Sequence, residues 1–133
     1  MACAVALENL RLLREENVVG RVRDELAPYW GQRWRELRAH PLVGEARHLG
    51  LFGAIELVPG KPSRAFFASR GDVGLRCREI CLRNGLVMRA VWDTMIVAPP
   101  LVITRCEIDE LLSKVARSLD ELQVELRHDG LLA

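Results

Sequence analysis

The chain of 133 residues is half hydrophobic and 28% charged, which is the usage of a globular domain. Its formal net charge of +1 gives no reason to expect nucleic acid or an anionic membrane as a partner. No apolar run reaches the roughly 20 residues that span a bilayer, and the N-terminus lacks the basic region of a signal peptide. Four cysteines without close pairs favour free thiols in a reducing compartment, so we expect a cytoplasmic protein.

The first third of the sequence predicts two helices. Ala2 to Glu16 carries its apolar residues on one stripe and begins without a residue that could cap its first amides, which we interpret as a cut inside a larger protein. Asn17 is the expected N-cap of a second helix, which Pro28 should kink or break near its middle. We expect a single domain at 1–133, with leading helices at 1–39 and a small sheet-and-helix region at 40–133.

The middle of the sequence predicts one strand and one helix. The alternation from Val43 to Val58 is typical of a single strand, in which Gly50 and Gly53 indicate a bulge or a close backbone approach. A turn is expected at residues 59–63. Gly71 to Arg83 then has helical spacing. The predicted inner face of this helix consists of Val73, Cys77, Ile80 and Cys81.

The stretch NGLVMRAVWDTMIVAPPL, residues 84–101, predicts a hairpin after a helix end. Its Asn-Gly pair can end the preceding helix, because both residues tolerate a left-handed backbone. Leu86 to Val91 predicts one strand and Met95 to Ala98 its return, with residues 92–94 as the turn. Arg89 is the only charge inside the first apolar run, and a charge in such a setting needs a partner or a ligand.

The last segment carries the best local signal in the chain. Thr104 and Glu107 fit a capping box, and apolar residues at helical spacing continue from there to about Arg127. The full order is helix, helix, strand, helix, strand, strand, helix. This order predicts an α+β fold, in which a small and mostly antiparallel sheet has its helices packed on one face.

Three stretches of the sequence together resemble one family. NGLVMRAVWDTMIVAPPLVIT, with the acidic helix after it, is similar to the C-terminal end of class III pyridoxal-phosphate aminotransferases of the omega-transaminase type. ACAVALENLRLL resembles the helix after that family's dimer-contacting glycine-rich loop, and HPLVGEARHLGLFGAIELV resembles the first strand region of its small domain. The resemblance covers nearly the whole chain, but only the last third or so of such an enzyme. It implies the C-terminal small domain of a fold-type I enzyme.

The resemblance also implies a function for Arg89. In the family, the arginine at the LVMRA position looks across the active site, binds the substrate carboxylate and swings aside for apolar substrate groups. A guanidinium suits this role, since it offers a rigid bidentate fork. The alternative is an ion pair of Arg89 with Glu56 or Asp93 at the sheet edge. Trp92 replaces the small residue that is frequent in the family, which puts the turn and the arginine's room to move in question.

Other parts of the family's active site have no counterpart in the sequence. The family enzyme holds pyridoxal phosphate through a buried lysine. Of the two lysines, Lys61 lies between a glycine and a proline in a turn, and Lys114 lies off the apolar stripe of the last helix. The glycine-rich phosphate cradle and the aspartate for the pyridine nitrogen are also missing. We therefore predict no catalytic residue and no cofactor for this chain alone, the cofactor belonging to the intact enzyme.

A metal site receives little support from the sequence. Cys77 and Cys81 share a helix face, as a pair of metal ligands would, but no histidine follows at ligand spacing. Their interpretation as small core residues is therefore favoured. The three histidines lie far apart in dissimilar segments, namely His40, His48 and His128.

We keep three functional hypotheses open. The first is the C-terminal domain or fragment of a class III aminotransferase, which supplies a lid and Arg89 and is inactive alone. Its partner would be the large cofactor-binding domain, within a homodimer. The second is an assembly module from a split gene, which binds a separate lysine-bearing chain, and an upstream reading frame with that lysine would favour it. The third is a structural or ligand-binding domain without enzymatic function.

Overall fold

A computed structural model describes residues 2–61 and 65–132 of the chain. The helices are α1 (Ala2–Glu15), α2 (Val18–Arg21), α3 (Ala27–Glu36), α4 (Asp72–Arg83) and α5 (Arg105–His128). A π-helical turn (Val22–Leu26) joins α2 to α3, and a 3-10 turn (Leu37–Ala39) follows α3. The strands are β1 (Val43–Leu49), β2 (Phe52–Leu57), β3 (Arg89–Val91) and β4 (Thr94–Val97). The turn expected at 59–63 lies partly outside the described residues.

Helix α1 confirms the first predicted element, but it contains no buried residue. Arg11 pairs with Glu8 and with Glu15, one turn away on either side, and such pairs stabilise an exposed helix modestly. The apolar stripe of α1 faces solvent within the described chain. Its exposed members are Val5, Leu7, Leu10 and Leu12.

The second helical run begins at the predicted N-cap residue but differs from the prediction in its local geometry. Asn17 precedes the helix, but its backbone is left-handed, with φ at 47°, and its side chain makes no capping hydrogen bond. That side chain lies against Gly20, where a Cβ would be 2.3 Å from Asn17 Oδ1. Pro28 does not break the run, because the π-helical turn Val22–Leu26 continues directly into α3. The wider turn accommodates a proline ring that would clash with a regular preceding turn.

The predicted single strand from Val43 to Val58 is wrong, because the segment is a hairpin. Gly50, with φ at 56°, occupies a two-residue turn between β1 and β2, and Leu49 pairs with Phe52. In such a hairpin, odd-numbered residues of β1 share a face with even-numbered residues of β2. Leu49 therefore does not join Ile55 on the core face, and it is 83% exposed. The uninterrupted alternation hid the turn.

The four strands form one antiparallel sheet in the order β1-β2-β4-β3. The covered face packs against α3, where Trp30 and Trp34 stack with ring centroids 4.8 Å apart. Gly53 lies under these rings, since a Cβ there would be 2.7 Å from the Trp34 ring. The close approach predicted at Gly53 is thus confirmed, as is the antiparallel sheet with its helices on one face.

The other side of the sheet is not covered by a helix of the described residues, and we name it the open face. Residues that pair across neighbouring strands have their side chains on the same face of the sheet. The strand register therefore determines which side chains lie on the open face. The side chains on the open face are those of Glu45, Arg47, Leu49, Phe52, Ala54, Glu56, Arg89, Val91, Thr94 and Ile96.

Helix α4 follows the prediction, but β3 begins at Arg89, three residues later than the predicted strand start at Leu86. The predicted inner face of α4 is buried in full. Gly85, with φ at 69°, ends the helix, because Leu86 N–H donates to the Cys81 carbonyl at 2.8 Å and Gly85 N–H to the Leu82 carbonyl at 3.0 Å. The chain then turns back to β3, and Met88 lies on the buried side.

Helix α5 completes the helical layer. Thr104 accepts a hydrogen bond from Glu107 N–H at 3.3 Å, while Glu107 accepts one from Thr104 N–H at 2.8 Å, so the predicted capping box is confirmed. The predicted apolar face of α5 is buried in the common core, where the helix packs against α4 and α3, apart from the half-buried Leu111. Within the described ranges, no helix has the length and apolarity needed to cross a bilayer.

Candidate functional site

Arg89 begins the edge strand β3, and its side chain is exposed on the open face. Neither acid that the sequence offered as a partner is available to it. Glu56 lies 3.7 Å from Arg47 Nη1, and Asp93 accepts hydrogen bonds from two backbone amides. In the part of the chain that the structure describes, the Arg89 side chain makes no hydrogen bond and no ion pair, so its guanidinium donors are free.

A groove of about 770 Å³ lies beside Arg89. Its wall is apolar apart from this one guanidinium, among the described residues. The apolar lining comes from β3, β4, the double proline and the start of α5. The lining side chains include Phe52, Leu86, Val87, Val91, Ile96, Pro99, Pro100 and Ile103. An apolar groove with one fixed polar group can orient a small ligand while excluding water.

Trp92 forms the predicted turn with Asp93, and its backbone has φ at 53°, which is a left-handed conformation. Its ring lies near the guanidinium of Arg70, whose Cζ is 5.3 Å from the ring centroid of Trp92 and 4.1 Å from that of Phe66. Trp92 does not line the groove that contains Arg89. The tryptophan is thus directed toward Arg70 and leaves the groove beside Arg89 open.

The hairpin that carries Arg89 is attached to the start of α4 by the buried Asp93. The carboxylate of Asp93 accepts hydrogen bonds from Gly71 N–H at 3.1 Å and from Gly74 N–H at 3.0 Å. Gly74 is needed here, because a Cβ at this position would be 1.9 Å from the Trp92 carbonyl oxygen. This role of Asp93 was not predicted from the turn, although the spacing of Gly71 and Gly74 at the start of α4 was a signal for it.

The described residues do not fit pyridoxal phosphate. Lys61 Nζ donates to the carbonyl oxygens of Arg38 and Ala39, at 2.5 and 3.3 Å, and so caps the end of the α3 segment. Lys114 Nζ lies 2.7 Å from a carboxylate oxygen of Glu110 on the surface of α5. Both amines are solvent-accessible and engaged, so neither has the buried setting that a cofactor-binding lysine needs.

The three histidines lie in separate surroundings. The backbone N–H of Leu42 donates to His40 Nδ1 at 3.2 Å, and burial lowers the pKa of His40 while nearby Asp120 opposes that shift. His48 contacts Gly31 across the α3–β1 junction. In residues 2–61 and 65–132, no group of three or more histidine, cysteine or acidic side chains comes together.

Comparison with known proteins assigns the chain to a family. The sheet and its helical layer have the architecture of the C-terminal region of fold-type I enzymes, represented by solved transaminases. The family model described as "Aminotransferase class-III" matches residues 1–119. The chain belongs to the class III aminotransferase family, whose members depend on pyridoxal phosphate.

Three similar proteins show the extent of the match. The putrescine–pyruvate aminotransferase of Pseudomonas aeruginosa is 55% identical over 91% of this chain and 26% of its own length. The mitochondrial gamma-aminobutyrate transaminase 1 of Solanum lycopersicum is 34% identical over 92% of this chain and 24% of its own. A solved structure titled "Transaminase with L-ala" superimposes with a TM-score of 0.88, at 37% identity, over 94% of this chain and 29% of its own. The chain thus spans about a quarter of its curated relatives.

Proposed function

We propose that the chain is the C-terminal part of an omega-type aminotransferase and that Arg89 binds the carboxylate of its substrates. The observation that carries this proposal is the unpaired guanidinium of Arg89 beside an apolar groove. A carboxylate is the natural ligand for such a fork, because two parallel N–H···O bonds fix both its position and its orientation.

The relatives support a particular pair of substrates. The names of two of them contain an amine, putrescine, a keto acid, pyruvate, and an omega-amino acid, gamma-aminobutyrate. By extension, the intact enzyme would move an amino group from an amine or omega-amino acid to a keto acid. Arg89 would grip the keto acid by its carboxylate, and the groove wall would exclude water around the rest of the substrate.

The chain alone would be inactive. The cofactor, when bound in the intact enzyme, carries the amino group between the two substrates. Its lysine and phosphate site would come from the upstream three quarters of the enzyme, since Lys61 and Lys114 are engaged elsewhere. The chain's contribution would be one wall of the active site, acting as a lid.

The second candidate function is that of a separate assembly module. It is favoured by one observation, namely that α1 and the open face leave apolar side chains exposed, including Leu7, Leu10 and Phe52. Exposed apolar surface of this kind marks an interaction site. A large cofactor-binding domain or a lysine-bearing partner chain would cover it, within a homodimer.

The test of Arg89 uses the assembled enzyme and compares its two half-reactions. Arg89→Ala should lower the efficiency with a keto acid by roughly ten- to a hundredfold, since a charge-assisted contact is worth about 1.5–3 kcal/mol. An amine donor without a carboxylate should be nearly unaffected in its own half-reaction. Stopped-flow measurement gives the efficiency of the keto acid half-reaction and that of the amine half-reaction separately.

Two further variants make the test selective. Arg89→Lys should recover little, because a point charge does not reproduce the bidentate fork. Arg47→Ala is the matched control, since it removes a guanidinium from the same face but one that is already paired with Glu45 and Glu56. Equal losses in both half-reactions for Arg89→Ala would mean that Arg89 only supports the sheet.

A further inference from the structure

His40 lies at the joint between the 3-10 turn that follows α3 and the strand β1. Its side chain is only 13% exposed. The ring nitrogen Nδ1 accepts a hydrogen bond from the backbone N–H of Leu42 at 3.2 Å, and the His40 carbonyl accepts one from Val43 N–H at 3.1 Å. These two bonds close the turn from which β1 begins at Val43. The imidazole is therefore a structural part of the joint.

The hydrogen bond from Leu42 fixes where the proton of the neutral ring lies. A backbone N–H only donates, so Nδ1 must be unprotonated and Nε2 must carry the proton. Nε2 is buried and makes no hydrogen bond within the described residues, although Asp120 Oδ1 lies 3.4 Å from it. The neutral ring thus satisfies Leu42 but leaves its own N–H without an aligned acceptor, which costs free energy.

A second proton on the ring reverses this arrangement. The imidazolium carries a proton on both nitrogens, so Nδ1 can no longer accept from the N–H of Leu42. The positive ring is attracted instead to the carboxylate of Asp120 on α5, whose side chain is 74% exposed. Each protonation state of His40 therefore has a different partner.

We propose that His40 is a proton-controlled latch between α3 and β1. The neutral ring holds the turn through Leu42, and the protonated ring releases Leu42 and pairs with Asp120.

The surroundings of the ring favour the neutral state. Burial is the largest influence, and it lowers the pKa of His40 below its usual value. Among the described residues, two charged groups face the ring from other elements: Asp120 of α5 opposes this shift, and Lys61, after β2, adds to it. In the segment of His40 itself, the guanidinium of Arg38 is engaged by the Ala46 carbonyl.

The direction of the pH dependence follows from the lowered pKa of His40. As the pH falls, the unfolded chain takes up the proton near pH ~6.5, before the folded chain does. The stability that His40 contributes is complete above that pH, and it is lost as the pH falls toward the lower pKa of the folded protein. Within this window, the equilibrium constant of unfolding should rise by up to about tenfold per pH unit.

The test is an NMR titration of the full chain from about pH 8 to about pH 5, which brackets the usual histidine value. It follows the ring of His40 and the backbone amide of Leu42. We expect the ring to titrate below its usual range, and the Leu42 amide to lose its protection from hydrogen exchange with the same midpoint. A Leu42 amide that stays protected while His40 becomes protonated would overturn the proposal.

A variant at His40 separates the proton from the turn. His40→Asn supplies a side-chain oxygen that can accept the N–H two residues on, but it does not titrate in this range. It should fold as stably as the unchanged chain near pH ~8 and lose the rise in the unfolding constant below pH ~6.5, as measured by urea denaturation. His128→Asn is the matched control, because the His128 side chain is 88% exposed, and it should retain that rise.

Two outcomes of these variants would contradict the latch. The first is an equal pH dependence of unfolding in His40→Asn and in the unchanged chain. The second comes from Asp120→Asn, which removes the partner of the imidazolium and should move the midpoint of the His40 titration to lower pH. An unchanged midpoint would mean that the protonated ring does not pair with Asp120.

Discussion

Among the single residues, Trp92 combines a bulky side chain with a backbone conformation that does not suit it. Its φ of 53° suits glycine, and a bulky side chain there costs about 1–2 kcal/mol. The contact of the Trp92 ring with Arg70 offsets part of this free-energy cost, on the order of 0.5–1 kcal/mol for an exposed cation–π pair. The backbone at Trp92 is therefore strained, and the ring contact with Arg70 compensates part of that strain.

A pair of substitutions at this position isolates the strain from the ring contact. Both Trp92→Gly and Trp92→Ala remove the tryptophan ring, but only glycine adopts a positive φ without cost. We expect Trp92→Gly to unfold with a free energy about 1 kcal/mol higher than Trp92→Ala. Urea denaturation of the two variants measures this difference. An alanine variant as stable as the glycine variant would show that the turn relaxes to another conformation.

At the scale of elements, the attachment of the β3–β4 hairpin to α4 fixes where Arg89 lies. Asp93 links the two by accepting hydrogen bonds from the amides of Gly71 and Gly74. Asp93→Ala would leave these amides without their acceptor in a buried position, at a cost of about 1–3 kcal/mol. Asp72→Ala, in the exposed first turn of α4, is the control and should cost a few tenths.

The consequence of this attachment is measurable by urea denaturation and by hydrogen exchange. Asp93→Ala should lower the free energy of unfolding and speed exchange at the amides of Gly71, Gly74 and Leu57, the last of which donates to the Asp93 carbonyl. If Asp93→Ala and Asp72→Ala cost the same, the hairpin would be held in place by packing instead.

The same elements show what could be predicted from sequence. The capping box of α5 and the buried face of α4 followed from local rules, because each depends on residues at the spacing of one helical turn. The hairpin at Gly50 was not predicted, because the sequence alternation that is typical of a strand continues unbroken through its turn. The π-helical turn before Pro28 also escaped prediction, because a proline can be accommodated in several ways.

At the scale of the whole molecule, the site was predicted in part. Arg89 stood out as a lone charge in an apolar run, and its freedom from Glu56 and Asp93 appeared only once the fold showed what those acids bind. The groove brings Phe52 of β2 together with residues from 86 to 111, so no local pattern could reveal it. The carboxylate-binding role of Arg89 remains a prediction.

We propose that this chain supplies one wall of an aminotransferase site and depends on the rest of the enzyme to hold the cofactor. The most direct measurement mixes the chain with pyridoxal phosphate and records both the absorption of lysine-bound cofactor and amino transfer to pyruvate, with and without the cofactor-binding part of the enzyme. We expect neither signal from the chain alone and both after assembly. A cofactor band in the isolated chain that disappears on Lys61→Ala or Lys114→Ala would contradict the account.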